Sequence, residues 1–199
     1  MKKWALLLLL LATFSFAWSQ EEGEQKGFKK ENLFSGGTVS LSFFNNTFLI
    51  GANPVLGYRL ANWVDAGIVV NFQWVSFRDV SPPLESIKQT TYGAGVFTRL
   101  FPIEFLFAQV QLEHNFINQK YIPVPNSGFS KETLKTSANS VLIGGGYTSG
   151  RNKYSNSPFF YMSILFDISG NKNSPYVDSK GRVVPIIMGG FNIPLFQNR

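Results

Sequence analysis

His114 is the only histidine in the chain. An imidazole can activate a serine hydroxyl when a carboxylate orients the ring from its other side. Glu113 is adjacent, but neighbours on a strand point to opposite faces, so the two cannot pair directly. Ser163 and Asp167 share one parity in a later segment, and the strand assignment below turns both inward, across the wall from His114. A lipid hydrolase or acyltransferase built on His114 is thus an alternative function, against the plainer reading of His114 as an interfacial residue.

A second set of residues carries charge or amides at positions that alternation turns inward: Arg59, Asp65, Asn71, Arg99, Gln109, Gln111, Glu113 and Asp167. Arg59, Asp65 and Arg99 fall near one end of neighbouring segments, Glu113 and Asp167 nearer the other. A buried charge requires a partner. The expected arrangement is a structural network that plugs a lumen, with a gate or proton path as the functional alternative. Other chemistry is poorly supplied. There is no cysteine, which excludes disulfides, thiolate metal sites and a thiol nucleophile. No His or carboxylate cluster has metal-ligand spacing. Gly144-Gly145-Gly146 lacks the Lys-Ser/Thr of a phosphate loop. No catalytic, metal-binding or cofactor-binding residue is assigned, and no cofactor is expected.

The elements that hold these residues are strands. Leu106–Phe116 reads Leu-Phe-Ala-Gln-Val-Gln-Leu-Glu-His-Asn-Phe. Leu106, Ala108, Val110 and Leu112 share one face; Gln109, Gln111, Glu113 and Asn115 share the other. Its length suits a tilted strand crossing a bilayer. Similar alternation predicts strands over 37–44, 48–60, 64–77, 87–100, 138–148, 159–169 and 183–196. A bulge or distortion is expected at Pro54, which lacks an N–H. Asn45-Asn46, Ala61-Asn62 and Phe101-Pro102 read as tight turns; Asn118–Ser137 reads as the longest connection. The fold expected is all-β, a closed antiparallel up-and-down barrel of about eight strands that spans the outer membrane, apolar outside and polar inside. A barrel this narrow is filled by side chains. Gly51, Gly57, Gly67, Gly93, Gly95, Gly144 and Gly146 then leave room for Phe97, Phe107 and Leu165, and no open channel is expected. Tyr58, Trp63, Phe101, Tyr147 and Phe159 are expected at one membrane rim, and Phe43, Phe48, Trp74, Tyr92 and Phe116 at the other.

The N-terminus reads as an export signal. Lys2 and Lys3 precede the apolar run Ala5–Ala12, and Ala17-Trp18-Ser19 suits cleavage after Ser19. The expected organisation is a signal peptide over 1–19, a flexible periplasmic leader over 20–32 and a barrel domain over 33–199. Charged residues are only 15% of the chain, fitting an outer wall in lipid. The formal charge of +6 falls to +4 without Lys2 and Lys3, and is too thinly spread for a nucleic-acid partner. Expected partners are outer-membrane lipid and lipopolysaccharide, with an envelope protein as a further candidate. A secreted soluble lipid-binding barrel is the remaining alternative; it would need apolar residues inside and polar ones outside.

The segments Lys29–Phe44, Asn62–Asp79, Arg99-Leu100-Phe101-Pro102 into Phe105–Phe116, Tyr121-Ile122-Pro123 and Asn173-Ser174-Pro175-Tyr176 carry a resemblance. On them the chain resembles a family of small outer-membrane β-barrel proteins of Bacteroidota. The resemblance implies the barrel and its location in the cell outer membrane, not an activity. Some look-alikes carry an alpha-ketoglutarate decarboxylase label. That enzyme needs a thiamine-diphosphate domain several times this size, so a non-enzymatic structural, envelope-maintenance or accessory-subunit role is expected instead.

Overall fold

In the computed structural model, residues 28–44, 47–78, 84–152, 157–177 and 183–196 are described. The signal segment, most of the leader and the turn Asn45-Asn46 lie outside them. The described residues form eight strands: β1 (Leu33–Phe44), β2 (Thr47–Ala61), β3 (Val64–Arg78), β4 (Leu84–Ile103), β5 (Leu106–Pro123), β6 (Glu132–Ser149), β7 (Phe159–Asp167) and β8 (Ile186–Pro194). Each pairs antiparallel with its sequence neighbour, and β8 returns to β1 through Phe34 with Pro194 and Val39 with Gly189, closing the barrel. Every strand is paired on both sides through the body of the barrel, while Glu132–Ser140 of β6 and Ser40–Phe44 of β1 run beyond their described partners on β7 and β8.

Period two sorts the side chains. In β5 the residues from Leu106 to Phe116 alternate strictly: Leu106 is 43% and Val110 44% exposed, whereas Gln109 is 2% exposed. Ile68, Val96, Met162, Ile164, Phe166 and Ile187 face outward, and Asn71, Arg99, Ser163, Leu165 and Asp167 inward. The soluble lipid-binding alternative requires the reverse sorting and is not what this chain builds.

Glycines on the inner face make the narrow bore fillable. A Cβ at Gly57 would overlap the Phe34 ring, and one at Gly146 the Phe107 ring. Gly67 likewise stands 3.0 Å short of Phe97, measured from where its Cβ would be. Three apolar clusters pack in that space: Phe34, Val55, Val69 and Phe97; Phe101, Phe107, Phe159 and Tyr161; and Leu142, Leu165 and Met188.

Several expectations are corrected. Asn118–Ser137 is mostly strand, not loop: Asn118 pairs with Lys135 and Lys120 with Thr133, leaving only 124–131 between β5 and β6. Alternation detects strands with one dry face; where water lies on both sides, polar residues satisfy a ladder equally well. Pro54 makes no bulge but does interrupt the ladder locally, since Asn53 and Pro54 drop out of the β2–β3 pairing. The β2–β3 ladder passes from Ala52 with Phe72 to Val55 with Val69 in unchanged register, and its irregularity falls between Arg59 and Ala61. Phe101 and Phe159 do not join the rim. Both are buried inside, and the exposed aromatics at that end include Trp63, Phe105, Tyr147 and Phe160. The last leader residues dock on the barrel: Phe28 stacks on Tyr58 at 5.3 Å, and Asn32 donates to the Arg59 carbonyl at 3.0 Å.

Candidate functional site: the charged interior of the barrel

Six charged side chains are buried among the described residues: Arg59, Asp65, Arg99, Glu113, Arg151 and Asp167. The three arginines gather around Asp65 at one end, and Glu113 and Asp167 lie toward the other. At the end of the barrel where β1 begins and β8 ends, Arg59 pairs with Asp65 across β2–β3, and Asp65 with Arg99 across β3–β4. The Asp65 carboxylate lies 3.8 Å from Arg59 and 3.6 Å from Arg151. Three guanidinium groups therefore surround one carboxylate. At the opposite end Glu113 and Asp167 are buried without an arginine or lysine at ion-pair distance among the described residues.

The two halves are connected by amides. Arg99 Nε donates to Gln109 Oε1 at 2.8 Å, and Gln109 Nε2 donates to Gln111 Oε1 at 2.6 Å. Gln111 Nε2 donates in turn to Glu113. Alternation puts residues 109, 111, 113 and 115 on one face, so one strand supplies the whole file. Every amide is oriented the same way, donor toward Glu113 and acceptor toward Arg99. The aligned dipoles relay the attraction between a cation and an anion too far apart to touch. Glu113 also accepts from Asn115 at 2.9 Å and from Tyr176 at 2.8 Å, while Asn71 donates to Asn115 at 3.2 Å.

Arg99 is further held by rings. Its Cζ lies 4.8, 5.4 and 4.2 Å from the centroids of Phe97, Phe107 and Tyr161. Such contacts stabilise a desolvated guanidinium by up to about 2 kcal/mol. Arg151 lies 3.6 Å over Phe101 and donates to the Asn62 carbonyl at 3.0 Å. At the other end the β7–β8 connection folds back into the bore. Ser174 donates to Asp167, which also accepts from the Ser169 N–H at 2.9 Å and the Val141 N–H at 3.2 Å. Tyr176 reaches Glu113 from the same connection. Its burial, together with the Glu113 charge and hydrogen bond, pushes the phenol well above its ordinary range.

All eight inward polar residues named from the sequence occupy the interior. Arg151, Ser174, Tyr176 and Asn115 complete the network. Asn115 follows from the parity of β5; the other three lie in connections, where no periodicity reveals direction. His114 lies on the outer wall. Its Nδ1 is 2.6 Å from Asn139 Oδ1, and its ring packs edge-on to Phe116 at 4.8 Å. Its cross-strand neighbour on β4 is Ala94. Ser163 and Asp167 are inside, so the wall separates them from His114, and Ser163 Oγ has no hydrogen-bond partner among the described residues. No triad forms from these three.

No protein-family model and no curated protein matches the sequence. Among solved structures, the N-terminal β-barrel domain of OprF from Pseudomonas aeruginosa is similar at 13% identity and a TM-score of 0.37, over 81% of this chain and 95% of that one.

Proposed function

We propose that this chain is a non-enzymatic outer-membrane barrel, exported through a cleaved signal peptide, with a structural, envelope-maintenance or accessory-subunit role. The observation that carries this is the inverted sorting of β5, which continues around the ring: apolar side chains outside, amides and charges inside. In water an apolar exterior of this extent would drive aggregation, whereas in a bilayer it costs nothing. The packed, hydrogen-bonded interior supports a plug over a pore. Lipid, including lipopolysaccharide, is the partner of the wall, and an envelope protein the candidate partner of the rims. Folding into vesicles with heat-modifiable gel mobility and with no steady conductance is the expected result. A water-soluble monomer, or a stable open conductance, would overturn it.

A second reading, lipid hydrolysis at His114, is favoured by one contact, the Asn139 oxygen that can orient the ring. Its neighbours Ala94 and Phe116 supply no nucleophile. Phospholipid and lipid A deacylation should stay at background both in membranes holding the parent and in those holding His114→Ala; an activity of the parent that His114→Ala abolishes would install this reading in place of the first.

A further inference from the structure

The ladder register brings three lysines together on the outer wall. Lys88 on β4 pairs directly with Lys120 on β5. One row nearer the membrane, Asn118 on β5 pairs with Lys135 on β6, and Lys120 pairs with Thr133 beside it. Lys88 shares its parity with Tyr92 and Val96, Lys120 with Phe116 and Leu112, and Lys135 with Asn139 and Ile143, all on the exterior. All three lysines are exposed, and none has an ion-pair partner among the described residues. Glu85 and Glu132 lie nearby in sequence but on the opposite parity. Like charges directly opposed on a ladder repel, so this arrangement is unfavourable unless an anion lies over it.

The position defines the anion. Tyr92 and Phe116 stack at 5.5 Å at the top of the apolar wall, four residues below Lys88 and Lys120. Four residues of a tilted strand rise about 10 Å, the depth between hydrocarbon and the outer headgroup layer. β4, β5 and β6 have 20, 18 and 18 residues against nine in β7 and β8, so among the described strands this side of the barrel stands tallest. We infer that Lys88, Lys120 and Lys135 form a binding site for the phosphate of an anionic membrane lipid, whose acyl chains lie on Tyr92, Phe116, Val96 and Leu112 below. The inference rests on the membrane reading above and adds a specific headgroup class and place to it.

The test uses the full chain folded in neutral detergent, titrated with short-chain phosphatidylglycerol and, separately, short-chain phosphatidylcholine, with bound lipid counted by native mass spectrometry. Each lysine near anionic lipid is worth roughly a fivefold change in binding. Phosphatidylglycerol should therefore bind at least tenfold more tightly than phosphatidylcholine. The Lys88→Gln/Lys120→Gln/Lys135→Gln variant should lose that preference, and the corresponding triple arginine variant should keep it. Added salt should weaken the preference in the parent chain. Equal affinity of the parent for the two lipids, or an unchanged preference in the glutamine variant, overturns the site. Competition by inorganic phosphate as effective as by the lipid assigns the patch to free anions and also overturns it. Reconstitution into vesicles separates this from the membrane reading. A chain that inserts without headgroup preference loses only the site; a chain that inserts into neither neutral nor anionic vesicles loses both. Removing three mutually repelling exposed charges leaves the ladder intact, and unchanged heat-modifiable mobility verifies that the variant folds.

Discussion

Arg99 and Glu113 are buried at different heights of the bore and are joined through Gln109 and Gln111 rather than by contact. Hydrogen bonds to charged groups stabilise by about 1.5–3 kcal/mol each. Gln111→Ala removes one such bond, to Glu113, and a neutral one from Gln109, and leaves the Glu113 carboxylate with one donor fewer. A loss of about 2–4 kcal/mol is expected, measured by urea unfolding of the vesicle-inserted barrel. A change within experimental scatter would show that the relay is decorative.

Arg99→Ala tests the plug. The variant forfeits the Gln109 hydrogen bond and three ring contacts, so stability should fall by about 2–4 kcal/mol. Conductance in planar bilayers should stay near that of the parent, because the Phe97, Phe107 and Tyr161 rings still occupy the bore. A large rise would assign Arg99 to a gate.

Gly57 and Phe34 are complementary. The three atoms that a Cβ at Gly57 would meet all belong to the Phe34 ring. Gly57→Ala should destabilise by about 1–3 kcal/mol. In Gly57→Ala/Phe34→Leu part of that loss should be recovered, giving a coupling above about 0.5 kcal/mol in the double-mutant cycle. Additive losses would place the cost in the backbone instead.

Tyr176 makes stability sensitive to alkali. Its pKa is raised on folding above the ordinary 10.0, so the folded state favours the protonated phenol. The contribution is fully present below the unfolded value and is lost as pH rises through the folded one. The parent should lose stability above about pH 10, and Tyr176→Phe should lose less over the same interval. Melting curves against pH, with phenolate absorbance as a second signal, check this. Parallel losses in both chains would contradict it.

The order of the strands and their inner and outer faces were legible because an apolar exterior and a polar bore impose strict period two, as in Leu106–Phe116. Arg59, Asp65 and Arg99 could be grouped from parity and hairpin register alone. What stayed hidden lies where periodicity ends. Arg151 and Tyr176 enter the bore from connections, whose direction is set by the partners they meet. Asn118–Tyr121 pairs in register with Glu132–Lys135 although the composition resembles a loop, because both faces there are wet. Phe101 and Phe159 were drawn to the rim by their type, but their parity and the Arg151 guanidinium place them inside.

The central claim is that the wall meets hydrocarbon and the bore does not. The chain has no cysteine, so nitroxide labels can be placed singly along β5 from Leu106 to Phe116 in the vesicle-inserted protein. Accessibility to dissolved oxygen and to a water-soluble nickel complex is then read at each position. Labels at Leu106, Ala108, Val110 and Leu112 should collide freely with oxygen and be shielded from nickel, with a minimum of oxygen accessibility at Gln109 and Gln111. Nickel reaching Val110 as readily as oxygen, or accessibilities that do not alternate, would contradict the account.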